Sequence, residues 1–173
     1  MRPTVRRLAI PLLSALVAAA ASSCSSSAGT GPGGPELAAR LGARVELAAA
    51  RSRWAAKAPA RYRYVFSRSC ECLTEATQAA RIEVERSVGN PEVITSLTYA
   101  SGGSAVENRY RALFPSVDGL FDLVQDALDR RAAGLVVSYD PQLGYPRSIS
   151  IDYDAVMVDD EVVLHASDLE VVP

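Results

Sequence analysis

The chain has 173 residues, 49% of them hydrophobic and 22% charged, with a formal net charge of −2. Those values suit one globular domain and exclude disordered or collagen-like chains. No basic excess points to nucleic acid, and a single histidine excludes a multi-histidine metal site.

The start is basic through Arg2, Arg6 and Arg7, and the 14 residues Leu8–Ala21 are apolar apart from the breaks at Pro11 and Ser14. A membrane-spanning helix needs about 20 residues, so residues 1–23 are expected to be a secretory signal peptide. Ala21, Ser22 and Ser23 precede Cys24. This order resembles a bacterial lipobox, in which the cysteine receives a diacylglyceryl group and becomes the mature N-terminus, although leucine is commonest where Ala21 stands. The alternative is an ordinary signal peptide cut near Ala21, with Cys24 left as a free thiol. We favour lipidation, because a lone exposed cysteine is a liability in a secreted chain. The expected location is extracytoplasmic, on the cell membrane or outer membrane, with the lipid holding the chain there. Without the three leader arginines the mature chain has 15 basic and 20 acidic side chains, a net of −5.

Ser25–Pro35 (SSSAGTGPGGP) is small, polar and rich in glycine and proline. Such a segment cannot bury apolar surface and is expected to be a flexible tether with a reach of about 18 Å. The organisation is therefore a leader (1–23), an anchor cysteine with tether (24–35) and one domain (36–173).

Glu36–Ala58 reads as a helix closed by Pro59, with Leu37, Leu41, Val45 and Ala48 on one face. Arg40, Arg44 and Arg51 form a neighbouring stripe, expected to be solvated. Arg61–Cys72 alternates, with Tyr62, Tyr64 and Phe66 on one face of a half-buried strand. Arg81–Val88 repeats that pattern. After the Asn90-Pro91 turn, Val93, Thr95, Leu97 and Tyr99 form the expected inner face of a third strand. Ser116–Ala133 is the clearest helix, with Ser116 as N-cap, an apolar stripe of Val117, Leu120, Phe121, Val124 and Leu128, and Gly134 just past its end. Strands follow at Leu135–Tyr139, Arg147–Tyr153 and Val162–Val171. The order αβββ-αβββ with short turns predicts the α+β class: an antiparallel sheet of about six strands with two helices on one face. A weak internal duplication fits that order, but no residue-level repeat supports it.

Candidate chemistry is sparse. Cys70-Glu71-Cys72 leaves an even thiol pair once Cys24 is set aside. Residues two apart on a straight strand have Cα atoms about 6.6 Å apart, near the upper limit for a disulfide, so a bridge needs a local bend. The pair reads as a small structural staple, or as two thiols whose pairing the geometry prevents, or else as a redox-active CxC or half of a metal site. We favour the first two, because no CxxC, second cysteine pair or nearby histidine accompanies it. Asp152, Asp154, Asp159, Asp160 and Glu161 cluster around a turn without calcium-loop spacing and read as a solvated hairpin tip. His165 has no identifiable nucleophile or orienting carboxylate. Trp54, Tyr62 and Tyr64 read as core and corner packing rather than a ligand groove. Glu36–Arg68 holds eight basic and two acidic residues, whereas Ser116–Pro173 holds 12 acidic residues and three arginines. That asymmetry can pair the two regions across the fold or offer a partner two faces of opposite sign.

Trp54, Tyr62-Arg63-Tyr64, Cys70-Glu71-Cys72 and Ser116–Phe121, followed by Tyr139-Asp140-Pro141, Gly144-Tyr145-Pro146, Ile149–Asp152 and Asp159-Asp160-Glu161, carry a resemblance. In this order they are similar to a family of uncharacterised bacterial lipoproteins defined by a domain of unknown function. The likeness runs from about Trp54 to Leu169. It implies a small secreted or lipid-anchored domain and brings no activity, so no catalytic residue is carried over. No enzyme activity and no cofactor are expected. The expected role is a non-enzymatic binding or accessory module, with an envelope protein or small ligand as partner. The alternative is a redox or metal-handling protein using Cys70 and Cys72.

Overall fold

The computed structural model describes residues 34–87, 89–157 and 159–173. The expected leader, the Cys24 anchor and most of the tether lie outside the described residues. Residues 33–173 make one compact unit.

Helix α1 (Gly34–Lys57) begins two residues earlier than expected and ends just before Pro59. Pro35 suits the first turn, where its missing N–H has no intrahelical partner to lose. The face that carries Leu37, Leu41, Val45 and Ala48 is not the buried one. Leu37, Leu41 and Val45 are 60%, 55% and 69% exposed, and Ala48 is also exposed. The buried stripe is Leu47, Ala50 and Trp54. Two apolar stripes compete on this helix, and the one carrying Trp54 wins. Its indole removes the largest apolar area from water and packs edge-on against Tyr62 and Tyr145, with ring centres 5.2 and 6.1 Å away.

Strand β1 (Arg61–Ser69) places Tyr62, Tyr64 and Phe66 fully in the core, as its alternation predicts. It ends three residues before Cys72, because the Cys72 N–H donates back to the Cys70 carbonyl at 2.9 Å and turns the chain. A four-residue helix α2 (Thr74–Thr77) follows, then β2 (Ala80–Glu85) and β3 (Val93–Tyr99). The inner face of β3 departs from strict alternation. Glu83 pairs with Ser96 but Val84 pairs with Ile94, so Thr95 is an extra residue. This bulge switches parity: Ile94, Leu97 and Tyr99 pack on the core, while Val93 and Thr95 are exposed.

A 3-10 helix, Asn108–Leu113, precedes α3 (Val117–Asp129). It and α2 extend the expected two helices, and the order becomes α1-β1-α2-β2-β3-3-10-α3-β4-β5-β6. Both extra elements are too short to show an apolar period in the sequence. Ser116 caps α3, its Oγ accepting the Gly119 N–H at 3.3 Å. The helix stops at Asp129, four residues earlier than expected. Arg131 takes the left-handed conformation (φ 58°), with Arg131 N–H to Leu128 C=O at 3.4 Å and Ala132 N–H to Ala127 C=O at 2.9 Å. That is a Schellman closure with arginine in the place usually held by glycine. Gly134 instead opens β4 (Gly134–Tyr139), where a Cβ would lie 3.2 Å from the Cβ of Asp152. Strands β5 (Pro146–Asp152) and β6 (Val162–Val171) complete the chain.

The sheet order is β3-β2-β1-β6-β5-β4, with every neighbouring pair antiparallel. Strands β1–β3 and strands β4–β6 each lie as consecutive neighbours, and β1 joins β6 at the centre. One sheet face is buried through Tyr62, Tyr64, Phe66, Ile82, Val84, Leu97, Ile149, Ile151, Leu164 and Ala166. Helices α1 and α3 contribute Leu47, Ala50, Trp54, Val117, Leu120, Phe121, Val124, Ala127 and Leu128 to the same core. Each large side chain taken out of water there contributes about 1.5–3 kcal/mol. The opposite face is polar, with Arg63 paired to Glu170 at 2.7 Å.

Candidate functional site

The densest polar cluster of the described domain lies under the start of α3 and centres on Glu92. Pro91 and Glu92 form the entry to β3. The Glu92 side chain is only 2% exposed. Its Oε1 accepts from Trp54 Nε1 at 3.3 Å and from Arg86 Nε at 2.9 Å. Its Oε2 accepts from the Tyr62 hydroxyl at 2.8 Å and from the Asp118 backbone N–H at 2.9 Å. A carboxylate offers about four acceptor positions, so these four donors saturate it.

The network extends along the first turn of α3. The Tyr62 hydroxyl accepts the Val117 N–H at 3.1 Å, and the Tyr64 hydroxyl donates to the Pro115 carbonyl. With Ser116 Oγ on Gly119, the amides of residues 117, 118 and 119 are all satisfied by side chains. The guanidinium of Arg86 also lies over the Trp54 ring, 5.3 Å from its centre.

The electrostatics follow from burial. Burial, and then the Glu92 charge, push the Tyr62 and Tyr64 phenols far above their ordinary values. Both therefore stay protonated and able to donate. The Asp118 carboxyl is raised by burial and by Glu92, against the lowering effect of Arg86. An open cleft beside the network is lined by Arg51, Trp54, Arg86, Glu92, Asp118 and Asp122, among others. Its charges are largely paired internally, with Arg51 to Asp122 at 2.9 Å and Arg86 to Glu92 at 2.9 Å. What this arrangement does chemically is hold α3 against β1 and β3.

The residues singled out in the sequence disperse over the fold. Cys24 lies outside the described residues. Cys70 and Cys72 stand at disulfide-bonding distance, with Cα atoms 5.3 Å apart, in the turn that ends β1. The bend the sequence required is that turn. His165 is exposed on the open sheet face, paired in register with Ser67 on β1 and Ser148 on β5. Among the described residues no group of three or more His, Cys, Asp or Glu stands together as a metal site. Trp54, Tyr62 and Tyr64 are core residues, as expected, and their polar tips find partners. The arginine stripe of α1 is not simply solvated. Arg44 meets Asp129 at 2.8 Å and Arg51 meets Asp122 at 2.9 Å. The basic and acidic regions thus pair across the fold.

Glu92 was not singled out by sequence reasoning. The available signal was that a buried Trp and Tyr need polar partners. Nothing local marks which of many carboxylates supplies them.

The later motif residues also build structure. In the β4–β5 connection Asp140 Oδ1 accepts from the Gln142 and Leu143 N–H groups at 2.9 and 2.7 Å. Gly144 has φ +90°, and a Cβ there would lie 2.5 Å from the Ala50 carbonyl oxygen. This glycine lets the loop touch the α1 backbone and seats Tyr145 beside Trp54.

A family of unknown function (DUF6174) matches residues 46–171, more than half of the chain, and the chain belongs to that family. No curated protein and no solved structure matches it.

Proposed function

We propose that this member of DUF6174 is an extracytoplasmic, lipid-anchored domain that acts as a non-enzymatic binding or accessory module. One observation carries this reading. The buried Glu92 carboxylate is saturated by donors from α1, β1, α3 and Arg86. The polar chemistry most shielded from water serves rigidity, and the surface remains as the working part. The leader, Cys24 and the tether composition support anchoring. Mass spectrometry of the mature N-terminus tests the anchor: a diacylglyceryl group on Cys24 is expected, and an unacylated terminus elsewhere would refute it. Affinity capture from detergent-solubilised envelopes tests the module. A defined partner, or a defined small ligand, is expected to co-purify. Retrieval of nothing beyond the untagged control counts against the reading.

A second reading rests on the cysteine pair. Cys72 is exposed and Cys70 half-buried in a turn after β1, within bonding distance. Such a pair is reachable by an external thiol, as a redox role requires. Thiol counting with and without reductant, on protein lacking Cys24, discriminates the two. A bridge that resists reduction, or normal biology in the Cys70→Ser/Cys72→Ser variant, removes the redox reading.

A further inference from the structure

We propose that the exposed stripe Leu37–Leu41–Val45 of α1, with Arg40, Arg44 and Arg131 beside it, is a docking surface for an anionic phospholipid bilayer. The inference rests on the anchoring reading for its setting, and its own basis is geometric. Single exposed leucines are ordinary on a protein surface. Here three large apolar side chains, each more than half exposed, recur every four residues along one helix face. Such a row is an amphipathic face left exposed among the described residues.

The flank of the stripe is cationic. Leu37 and Leu41 border a groove between α1 and the end of α3 that also holds Arg40, Arg44 and Arg131, with Glu36 and Asp129 as its carboxylates. Glu36 pairs with Arg40 and Asp129 with Arg44, both at 2.8 Å. Three guanidinium groups against two carboxylates leave one net positive charge. The Arg40 and Arg44 guanidiniums also donate to the carbonyls of Arg131 and Leu128, at 3.5 and 3.3 Å. Their side chains stay 28% and 44% exposed, where lipid phosphates can reach them.

Position supplies the occupant. The undescribed N-terminal chain ends at residue 33, and the stripe starts four residues later, in the first turn of α1. With lipid on Cys24, only the nine residues 25–33 separate the anchor from α1, which keeps this face close to the bilayer. Without its first 23 residues the chain as a whole is acidic, so an anionic surface favours the orientation that turns this groove, with its one net positive charge, toward the bilayer. Charge thus sets orientation, and the apolar row enters the headgroup boundary.

The test uses the chain from residue 24 onward with Cys24→Ser. That chain contains all the core residues, which run from Leu47 to Ala166. Binding is measured by co-sedimentation with phosphatidylglycerol-containing vesicles and with pure phosphatidylcholine vesicles. We expect binding that is stronger on the anionic vesicles and weakened about tenfold or more by Leu37→Ser/Leu41→Ser/Val45→Ser. Arg131→Glu should weaken binding to anionic vesicles alone. Unchanged circular dichroism and melting of these variants shows that the fold is kept. Equal binding by parent and triple variant, or no binding by either, overturns the proposal. So does a dimer that the triple variant dissociates without any vesicle effect, which would assign the stripe to a second copy. The anchor is judged separately: an unacylated Cys24 with intact vesicle binding removes the anchor alone, and an acylated Cys24 without vesicle binding removes the stripe alone.

Discussion

The Tyr62 hydroxyl donates to Glu92 at 2.8 Å while accepting from the Val117 N–H at 3.1 Å. One phenol thereby ties the central strand to both the entry of β3 and the first turn of α3. Glu92 in turn takes the Asp118 N–H and the Trp54 indole, so the same carboxylate reaches α1. The junction of four elements depends on one carboxylate side chain that is nearly sealed from water.

Removing that side chain should be among the most damaging single changes. Glu92→Ala strands four donors, one of them the Arg86 cation, and is expected to cost about 3–5 kcal/mol. Glu92→Gln keeps one acceptor but turns an NH₂ toward other donors, and should cost about 1–3 kcal/mol. Urea unfolding measures both. A double-mutant cycle with Tyr62→Phe should show strong coupling; additivity would mean that the 2.8 Å hydrogen bond contributes nothing.

Asp118 gives a pH signature of defined sign. Its carboxyl is raised in the fold by burial and by Glu92. The ionised form is therefore disfavoured by folding. The stability it lends is complete below its unfolded value and lost as pH rises through its raised folded value. Asp118→Asn is expected to be more stable than the parent near neutrality, with the difference closing on acidification through that window. Unfolding curves between pH 3 and 8 check this, and a gap that widens toward acid contradicts it.

Gly144 should tolerate no side chain. At φ +90° an added Cβ both strains the backbone and meets the Ala50 carbonyl oxygen at 2.5 Å. Gly144→Ala is expected to cost about 3 kcal/mol, lowering the melting temperature by roughly 6–12 °C. Gly102 has φ +81° and open space around it, so Gly102→Ala should cost only the backbone part, about 1 kcal/mol. Equal effects at the two positions would refute the steric account.

Arg131 offers the opposite test. Its left-handed conformation at the end of α3 is strained for any residue with a Cβ. Arg131→Gly keeps the carbonyl that receives Arg40 and is expected to add about 1 kcal/mol of stability in thermal unfolding. A loss of stability would show that the arginine side chain itself holds the helix end.

Much of the fold is legible in the sequence because it is written locally. The alternation of Tyr62, Tyr64 and Phe66, the spacing of Val117, Leu120, Phe121, Val124 and Leu128, and the Ser116 cap each depend on residues within a few positions. The β3 face was legible only in half, because a bulge at Thr95 arises from pairing with β2 and shifts the parity. The candidate site was legible only as buried aromatics. Glu92 lies 30 positions from Tyr62 and 38 from Trp54, and no local pattern connects them.

The α+β composition, the strand and helix periods, the close cysteine pair and the opposite charge of the two regions follow from the amino-acid order alone, since each is a property of neighbouring residues or of a count. Three-dimensional packing set which of two apolar stripes on α1 enters the core. Helical spacing makes Leu37, Leu41 and Val45 as eligible as Leu47, Ala50 and Trp54. The choice belongs to long-range partners, because Trp54 finds Tyr62, Tyr145 and the Glu92 carboxylate together. The Leu37–Leu41–Val45 row is thereby left facing outward in the N-terminal half of α1.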